Sequence, residues 1–384
     1  YRQALADVGI ARSALFPTVS ANASASRSHY SALVPLSSPT QSISGSTRTI
    51  YDMSLDASWE PDLWGGIRRA LEAGRAQAEA SGKNLESVRL STRATLAQDY
   101  FLLRVDDEEI AILERIAGNC RRYLDIIENQ YRAGVVSSID VETARSQLES
   151  AQSQAVDLGL FRAQEEHAIA VLLGKAPENF SIRPVKSSFD IPDIPGGIPS
   201  KLLERRPDIA QSERLVAAAN AKIGVARAAF FPNLFISPSI GYQSTSFAYL
   251  TSVPMRTWSI GPAVAQTLFD AGLARSQTDS AIAAYDAAVA AYRQTVLSGF
   301  QEVEDNLSAL DILAKESEMQ KEEEASSGKI LAATLNRYRA GMAGRLDVVT
   351  AKQNELAAEK ATLDLAGRRM TASITLIKAI GGSW

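Results

Sequence analysis

Residues 129–141 read Asn-Gln-Tyr-Arg-Ala-Gly-Val-Val-Ser-Ser-Ile-Asp-Val, and residues 336–348 read Asn-Arg-Tyr-Arg-Ala-Gly-Met-Ala-Gly-Arg-Leu-Asp-Val. The second stretch repeats the first at an offset of 207 residues (129 to 336), and the match runs without a gap to Leu173-Gly174 against Ile380-Gly381. Each copy lies between two long segments with helical spacing. Gly134 and Gly341 stand where a helix C-cap needs positive φ, which glycine adopts without a Cβ penalty. Ser138 and the positions of Asp140 and Asp347 then suit a new helix N-terminus, where a side-chain oxygen or a negative charge meets free N–H groups. Each copy therefore reads as the tip of a long helical hairpin, at 131–141 and 338–348. Two alternatives stay open here: a well-capped turn and nothing more, or two tips whose matching tyrosyl and charged groups form one working end.

The whole chain bounds what such hairpins can belong to. It has 384 residues, 46% of them apolar, and a formal charge of −4. That is too long for one compact core and too balanced for a nucleic-acid binder, so no nucleic-acid partner is expected. Cys120 is the single cysteine and His29 and His167 are the two histidines, which leaves no metal-ligand spacing. There is no Gly-x-Ser-x-Gly and no phosphate-cradling glycine loop, so no catalytic residue and no cofactor are assigned. Glu165-Glu-His167 reads as a surface cluster, and Lys321-Glu-Glu-Glu324 as a solvated helix face or break. No apolar run approaches the roughly eighteen residues of a membrane-spanning helix.

In chain order, residues 1–174 form the first repeat, 175–199 a proline-rich crossing segment, and 200–384 the second repeat. Ile10-Ala-Arg-Ser-Ala-Leu-Phe-Pro17 ends a helix, and Val225-Ala-Arg-Ala-Ala-Phe-Phe-Pro232 does the same in copy two. A strand is expected at 18–30, where Val19, Ala21, Ala23 and Ala25 alternate with polar residues. A Ser/Thr/Pro-rich loop (31–48) separates it from a second at 49–60, where Tyr51, Met53, Leu55, Ala57 and Trp59 alternate with Asp52, Ser54, Asp56, Ser58 and Glu60. After a helix at 200–230, copy two repeats the pair at 233–245 and 256–269. Strands of about ten residues fit a tilted barrel strand spanning a bilayer. Trp59, Trp258, Tyr30, Tyr51 and Tyr249 fall near strand ends, as an interfacial girdle would. Alternation alone equally fits a half-buried soluble sheet.

The helices tip that balance. From Ile67 the series Leu71, Gly74, Ala78, Ser81, Leu85, Val88, Thr92 follows 4-3 spacing, and no proline interrupts 62–176. A long helix to about Ala117 is expected, then a shorter one to the tip. Val349, Leu356, Leu363, Met370 and Ile377 recur every seventh residue, the mark of supercoiled helices. The seams are mostly Ala, Ser, Thr and Gly, which points to a many-helix wall. Four spanning strands cannot close a barrel, and an open edge is intolerable in lipid. Copies must supply the rest, eight strands as a dimer or twelve as a trimer, and the long wall favours the wider tube.

The chain resembles the TolC/OprM-type outer-membrane factor family over nearly its full length, in the efflux lipoprotein branch. The resemblance rests on Leu202-Leu-Glu-Arg-Arg-Pro-Asp208, Ala217-Ala-Ala-Asn-Ala-Lys-Ile-Gly224, Phe230-Phe-Pro232, Asp62-Leu-Trp-Gly-Gly-Ile-Arg-Arg69, Leu268-Phe-Asp-Ala-Gly272, both tips and Ala379-Ile-Gly-Gly-Ser-Trp384. It implies an internally duplicated α+β membrane protein. Four transmembrane strands per chain would complete a trimeric twelve-stranded barrel above a long periplasmic coiled-coil tunnel. The implied role is the exit duct of a tripartite efflux system in the outer membrane of a Gram-negative bacterium. A periplasmic adaptor, an inner-membrane RND-type pump and outer-membrane lipid are the implied partners. A type I secretion duct, a metal-efflux duct and a soluble helical scaffold are the alternatives. The partner in copy one of residues 200–222 would mostly lie upstream of Tyr1, where an N-terminal lipid anchor is also expected.

The resemblance also implies a gate. Asp347 matches a pore-lining aspartate able to hold cations. Tyr338 matches a tyrosine that bonds across to the neighbouring hairpin, on an aspartate matching Asp140. Two positions depart from the family: the second aspartate is Thr350 here, and the arginine maps to Ala343, with Arg345 two residues on as its nearest substitute. Gly134, Val135, Gly341 and Met342 resemble positions that meet the adaptor. For Asp140, Asp347 and the glycines, helix capping is the competing explanation.

Overall fold

The structure, a computed structural model, describes residues 1–29, 47–185 and 205–382. Tyr30, most of the 31–48 loop, most of the proline-rich segment, Leu202-Leu-Glu204 and Ser383-Trp384 lie outside the described residues.

The chain runs α1 (Arg2–Ser13), β1 (Thr18–His29), β2 (Thr47–Ser58), α2 (Gly66–Arg132), α3 (Ser138–Leu172), α4 (Pro207–Ala228), β3 (Asn233–Ile236), β4 (Ser239–Ser244), β5 (Arg256–Ser259), β6 (Pro262–Ala265), α5 (Leu273–Arg339) and α6 (Arg345–Ala379). The duplication is kept to the residue: α2 and α5 have 67 residues each, α3 and α6 have 35 each. Positive-φ glycines recur in the same register, as Gly65 and Gly272, Gly134 and Gly341, Gly174 and Gly381. The break expected near Ala117 is absent, and α2 continues to Arg132. Gly118 is the one residue there that disfavours a helix, and a single interior glycine costs only about 1 kcal/mol. Lys321 to Glu324 likewise sit in an unbroken α5, with Lys321 paired to Glu318.

The described residues form two compact units, and each repeat contributes to both. The unit of residues 1–84 and 210–294 holds the strands. They pair antiparallel in the order β1-β2-β4-β5, with β3 and β6 paired beside them. β3 and β4 are two parts of one span, broken where Pro238 lacks an N–H; pairing with β2 continues across the break through Ala57 N–H to Pro238 O and Trp59 N–H to Ile236 O. β5 and β6 are likewise split, at Ile260-Gly261, and Leu268 and Phe269 fall beyond the strand.

Register turns the sequence alternation into two faces. Ala21, Leu55, Ile240 and Trp258 form one row; Ala23, Met53 and Tyr242 form the next, which ends on Arg256. On the opposite face Asn22, Ser54, Gly241 and Thr257 align, as do Ser20, Asp56, Ser239 and Ser259. Asp56 accepts there from Asn22 Nδ2 and Ser54 Oγ, both at 2.7 Å. Gly241 is required on this face, because a Cβ would lie 2.4 Å from the Met53 carbonyl. The edge strands β1 and β5 run in opposite directions, and among the described residues no strand pairs with their outer sides. No described helix is long and apolar enough to cross a membrane.

The unit of residues 85–209 and 295–384 holds the hairpin tips. Its core is a series of small clusters, such as Val303 with Leu376, Ala379 and Ile380, and Ala94 with Met370 and Ile374. The seam of small residues lets α2 and α6 approach until a Cβ on Gly367 would sit 3.0 Å from Val105. Large apolar side chains are left uncovered: Leu297, Ile312, Met319 and Ile330 on α5, Val156, Leu160 and Val171 on α3.

Two ion networks pin irregular segments to this wall. Arg206 is 6% exposed; it grips Asp208 through Nε (3.1 Å) and Nη2 (2.7 Å), and its Nη1 donates to Glu302 (2.8 Å) and to Ala379 O (3.0 Å). Arg162 binds Asp107 (2.6 Å) and Glu166 (3.0 Å) and donates to Ile182 O, while Arg104 joins Asp107 to Arg183 O. Glu166 is thus turned inward to Arg162 and the Ile182 N–H, so the surface reading of Glu165-Glu-His167 is corrected for Glu166, while His167 is exposed.

Beside this network Asp106 makes no ion pair among the described residues. Burial, together with the charges of Glu109, Glu165 and Asp107 and against Arg162, pushes its carboxyl up to about 6. A carboxyl raised in the folded state costs nothing below its unfolded pKa of 3.8 and its full penalty above about 6. Asp106→Asn is therefore expected to stabilise this unit by about 1 kcal/mol at pH 7.5, after discounting for partial exposure, and by almost nothing at pH 4. Thermal melts of the two proteins at the two pH values check it.

Candidate functional site

Both tips are built the same way. α2 ends in a Schellman motif: Val135 N–H bonds to Gln130 O and Gly134 N–H to Tyr131 O, both at 2.9 Å, with Gly134 at φ 75°. α5 repeats it with Met342 to Arg337 (2.8 Å), Gly341 to Tyr338 (2.9 Å) and φ 74° at Gly341. The residue after each glycine is apolar and exposed, Val135 by 72% and Met342 by 66%.

The next helix of each hairpin opens on an aspartate at its third position. Asp140 Oδ2 accepts from Ser137 N–H (2.8 Å) and Ser137 Oγ (2.7 Å), and the Asp140 N–H returns to Ser137 Oγ at 3.4 Å. These bonds hold its carboxyl below the usual carboxylate range. The N-cap is Ser137, one residue before the Ser138 expected from sequence. The serine-to-aspartate spacing of three in the sequence marks this capping box. In copy two Asp347 Oδ2 accepts from Gly344 N–H at 2.8 Å. Capping is thus real for both aspartates, and in each the Oδ1 oxygen makes no hydrogen bond among the described residues.

Asp140, Arg345, Asp347 and Thr350 are all exposed, and Tyr338 is partly so. Among the described residues Tyr338 makes no hydrogen bond to Asp140, and Arg345 no ion pair to Asp347. Arg345 is the first residue of α6, where a cation opposes the helix dipole, so helix stability does not explain it. The described residues therefore present the candidate gate residues at two matching tips without joining them.

The family model for outer membrane efflux proteins matches residues 1–175 and 198–382. The chain belongs to the outer membrane efflux protein family. Among relatives, the probable efflux pump outer membrane protein TtgC of Pseudomonas putida is 30% identical over 98% of this chain and 77% of its own. The Campylobacter jejuni CmeC outer membrane channel superposes with a TM-score of 0.89 at 28% identity, covering 99% of this chain and 81% of that one. The outer-membrane channel OprN gives 0.88 at 30%, covering 100% and 85%. As an outer membrane efflux protein, this chain is an exit duct of a tripartite efflux system in the outer membrane of a Gram-negative bacterium. Its strands are barrel-wall segments and its helices belong to the periplasmic tunnel. The family and its solved neighbours are ducts and channels rather than enzymes.

Proposed function

We propose that three copies of the chain close one twelve-stranded barrel, and that the hairpin tips form the periplasmic gate of the tube. One observation carries the reading: among the described residues, a sheet with one mainly apolar face has two unpaired edges running in opposite directions. In lipid such edges have to pair. Because they differ from one another, the contact is head-to-tail and closes into a ring rather than a two-fold pair. Opposite edge directions keep a ring of such four-stranded sheets antiparallel throughout. The uncovered apolar side chains on α3 and α5 support the same assembly.

At the gate, Asp347 presents its free oxygen to the axis, Tyr338 reaches the Asp140 of a neighbouring hairpin, and Arg345 answers an acidic partner across the junction. Thr350 leaves the ring with a single acidic layer. Val135 and Met342, exposed beside Gly134 and Gly341, meet the periplasmic adaptor, which joins the duct to an inner-membrane pump that selects drugs or other small molecules. Relatives named as efflux pump components support these partners. In planar bilayers, Asp347→Ala combined with Tyr338→Phe is expected to raise single-channel conductance several-fold and to increase antibiotic entry into cells. Unchanged conductance and entry contradict the gate.

A further inference from the structure

The chain passes between strand and helix four times, and an arginine stands at each passage. Arg12 and Arg227 each lie six residues before the first strand residue, Thr18 and Asn233. Arg68 and Arg275 each lie ten residues after the last, Ser58 and Ala265. Each copy of the duplication thus sets one arginine before its pair of strands and one behind it.

Aromatic side chains sit between these arginines and the sheet. Phe16 and Phe231 each follow their arginine by four residues and precede a proline. Trp64 stacks on Phe231 at 4.7 Å and donates to Pro232 O at 2.7 Å. Phe269, 87% exposed, precedes Arg275. Trp59 continues the parity of Leu55 and Ala57, so this aromatic level is continuous with the apolar face. Because the strands span the outer membrane and the helices lie in the periplasm, this level is the inner-leaflet boundary. Girdles of aromatic residues flank the apolar band of a barrel, and arginine extends through such a boundary to the headgroups.

The charge at this level is available. The guanidinium groups of Arg12, Arg227 and Arg275 have no hydrogen-bond or ion partner among the described residues and are exposed. Arg68 is paired to Asp62, and Arg69, next to it, to Glu72. The two aspartates at the passages are committed to helix N-termini. Asp62 accepts from the Ile67 and Arg68 N–H groups, Asp270 from those of Gly272 and Ala274. A chain with net charge −4 therefore carries three exposed, unpaired arginines beside these aromatic side chains.

We propose that the arginines at the four strand–helix passages form a collar that binds the phosphate groups of anionic phospholipids in the inner leaflet. Arg12, Arg227 and Arg275 supply the free charge, and the aromatic belt sets the depth at which headgroups meet it. Each engaged arginine favours an anionic over a zwitterionic headgroup roughly fivefold, and the preference weakens with salt. The collar needs only that the sheet spans the membrane.

Native mass spectrometry of the full chain, released from mixed phosphatidylglycerol and phosphatidylcholine nanodiscs, counts subunits and retained lipids in one spectrum. The wild type is expected to retain phosphatidylglycerol at least fivefold over phosphatidylcholine. The triple variant Arg12→Gln, Arg227→Gln, Arg275→Gln should fall to near parity, and the corresponding triple lysine variant should keep most of the preference. Equal retention by the wild type overturns the collar whatever the variants do. An unchanged preference in the triple glutamine variant also overturns it, as when these arginines face the bore. A mass other than three chains with normal lipid preference would fault the trimer and leave the collar standing.

Discussion

Arg206→Met is expected to lower the unfolding free energy by about 3–5 kcal/mol, because it strips the partner from a half-buried carboxylate and from the last turn of a helix. Arg206 is the one group that holds Asp208, Glu302 and the Ala379 carbonyl together. Methionine fills the volume and supplies none of the four donations. Arg206→Lys is expected to recover less than half the loss, since an ammonium cannot reproduce the two-pronged grip on Asp208. The effect has a pH signature. Burial works to raise the Asp208 carboxyl, but the hydrogen bonds and charge of Arg206 outweigh it and hold the group below the usual range. A depressed carboxyl stabilises above its unfolded pKa of 3.8 and loses that contribution as pH falls through its folded value. The mutant should thus differ most from wild type at neutral pH, and the gap should narrow below about pH 4. Thermal melts of both proteins across that range are the check; a neutral-pH loss under about 1 kcal/mol would remove Arg206 from this role.

Leu55→Arg is expected to be the most damaging single change in the sheet. Leu55 lies in the row with Ala21, Ile240 and Trp258, in the middle of the apolar face. A guanidinium on the lipid side of a barrel costs about 2–4 kcal/mol near the midplane, so little folded protein should reach the outer membrane. Ser24→Lys is the matched control. Ser24 pairs with Asp52 on the opposite face, where a lysine meets water and a carboxylate. That variant should insert normally and change the ion preference of the pore. Fractionated outer membranes read insertion, and planar bilayers read ion preference. Equal insertion of the two variants would contradict a lipid-facing Leu55, and better insertion of Leu55→Arg would mean the faces have been assigned the wrong way round.

Much of this architecture could be read directly from residue order. The tips were legible because a C-capping glycine and an aspartate three residues past the cap are local chemistry, repeated at a fixed offset. The two faces were legible because strand alternation has a period of two, so Leu55 and Ser54 declare their sides without any tertiary knowledge. Ser137 escaped by one residue because two adjacent serines offer the same hydroxyl, and only backbone geometry chooses between them. The continuity of α2 past Ala117 was hidden because the small-residue seam weakens the helical pattern, although nothing in the chain stops the helix. Glu166 looked like surface because its partners, Arg162 and the Ile182 N–H, include an irregular segment sixteen residues on. Arg206 stood in a recognisable motif, but Glu302 lies 96 residues away, and no spacing rule joins them. The proposed gate is the least visible part, since among the described residues Tyr338 and Arg345 are not joined to Asp140 or Asp347, and the partners proposed for them belong to other copies of the chain.

In the proposed assembly, open sheet edges from several copies join into one hollow wall. End-on electron microscopy of the detergent-purified protein tests it most directly. A three-fold ring around a solvent-filled axis is the expected result. A monomer, stable without detergent and with its sheet packed against its own helices, would contradict it.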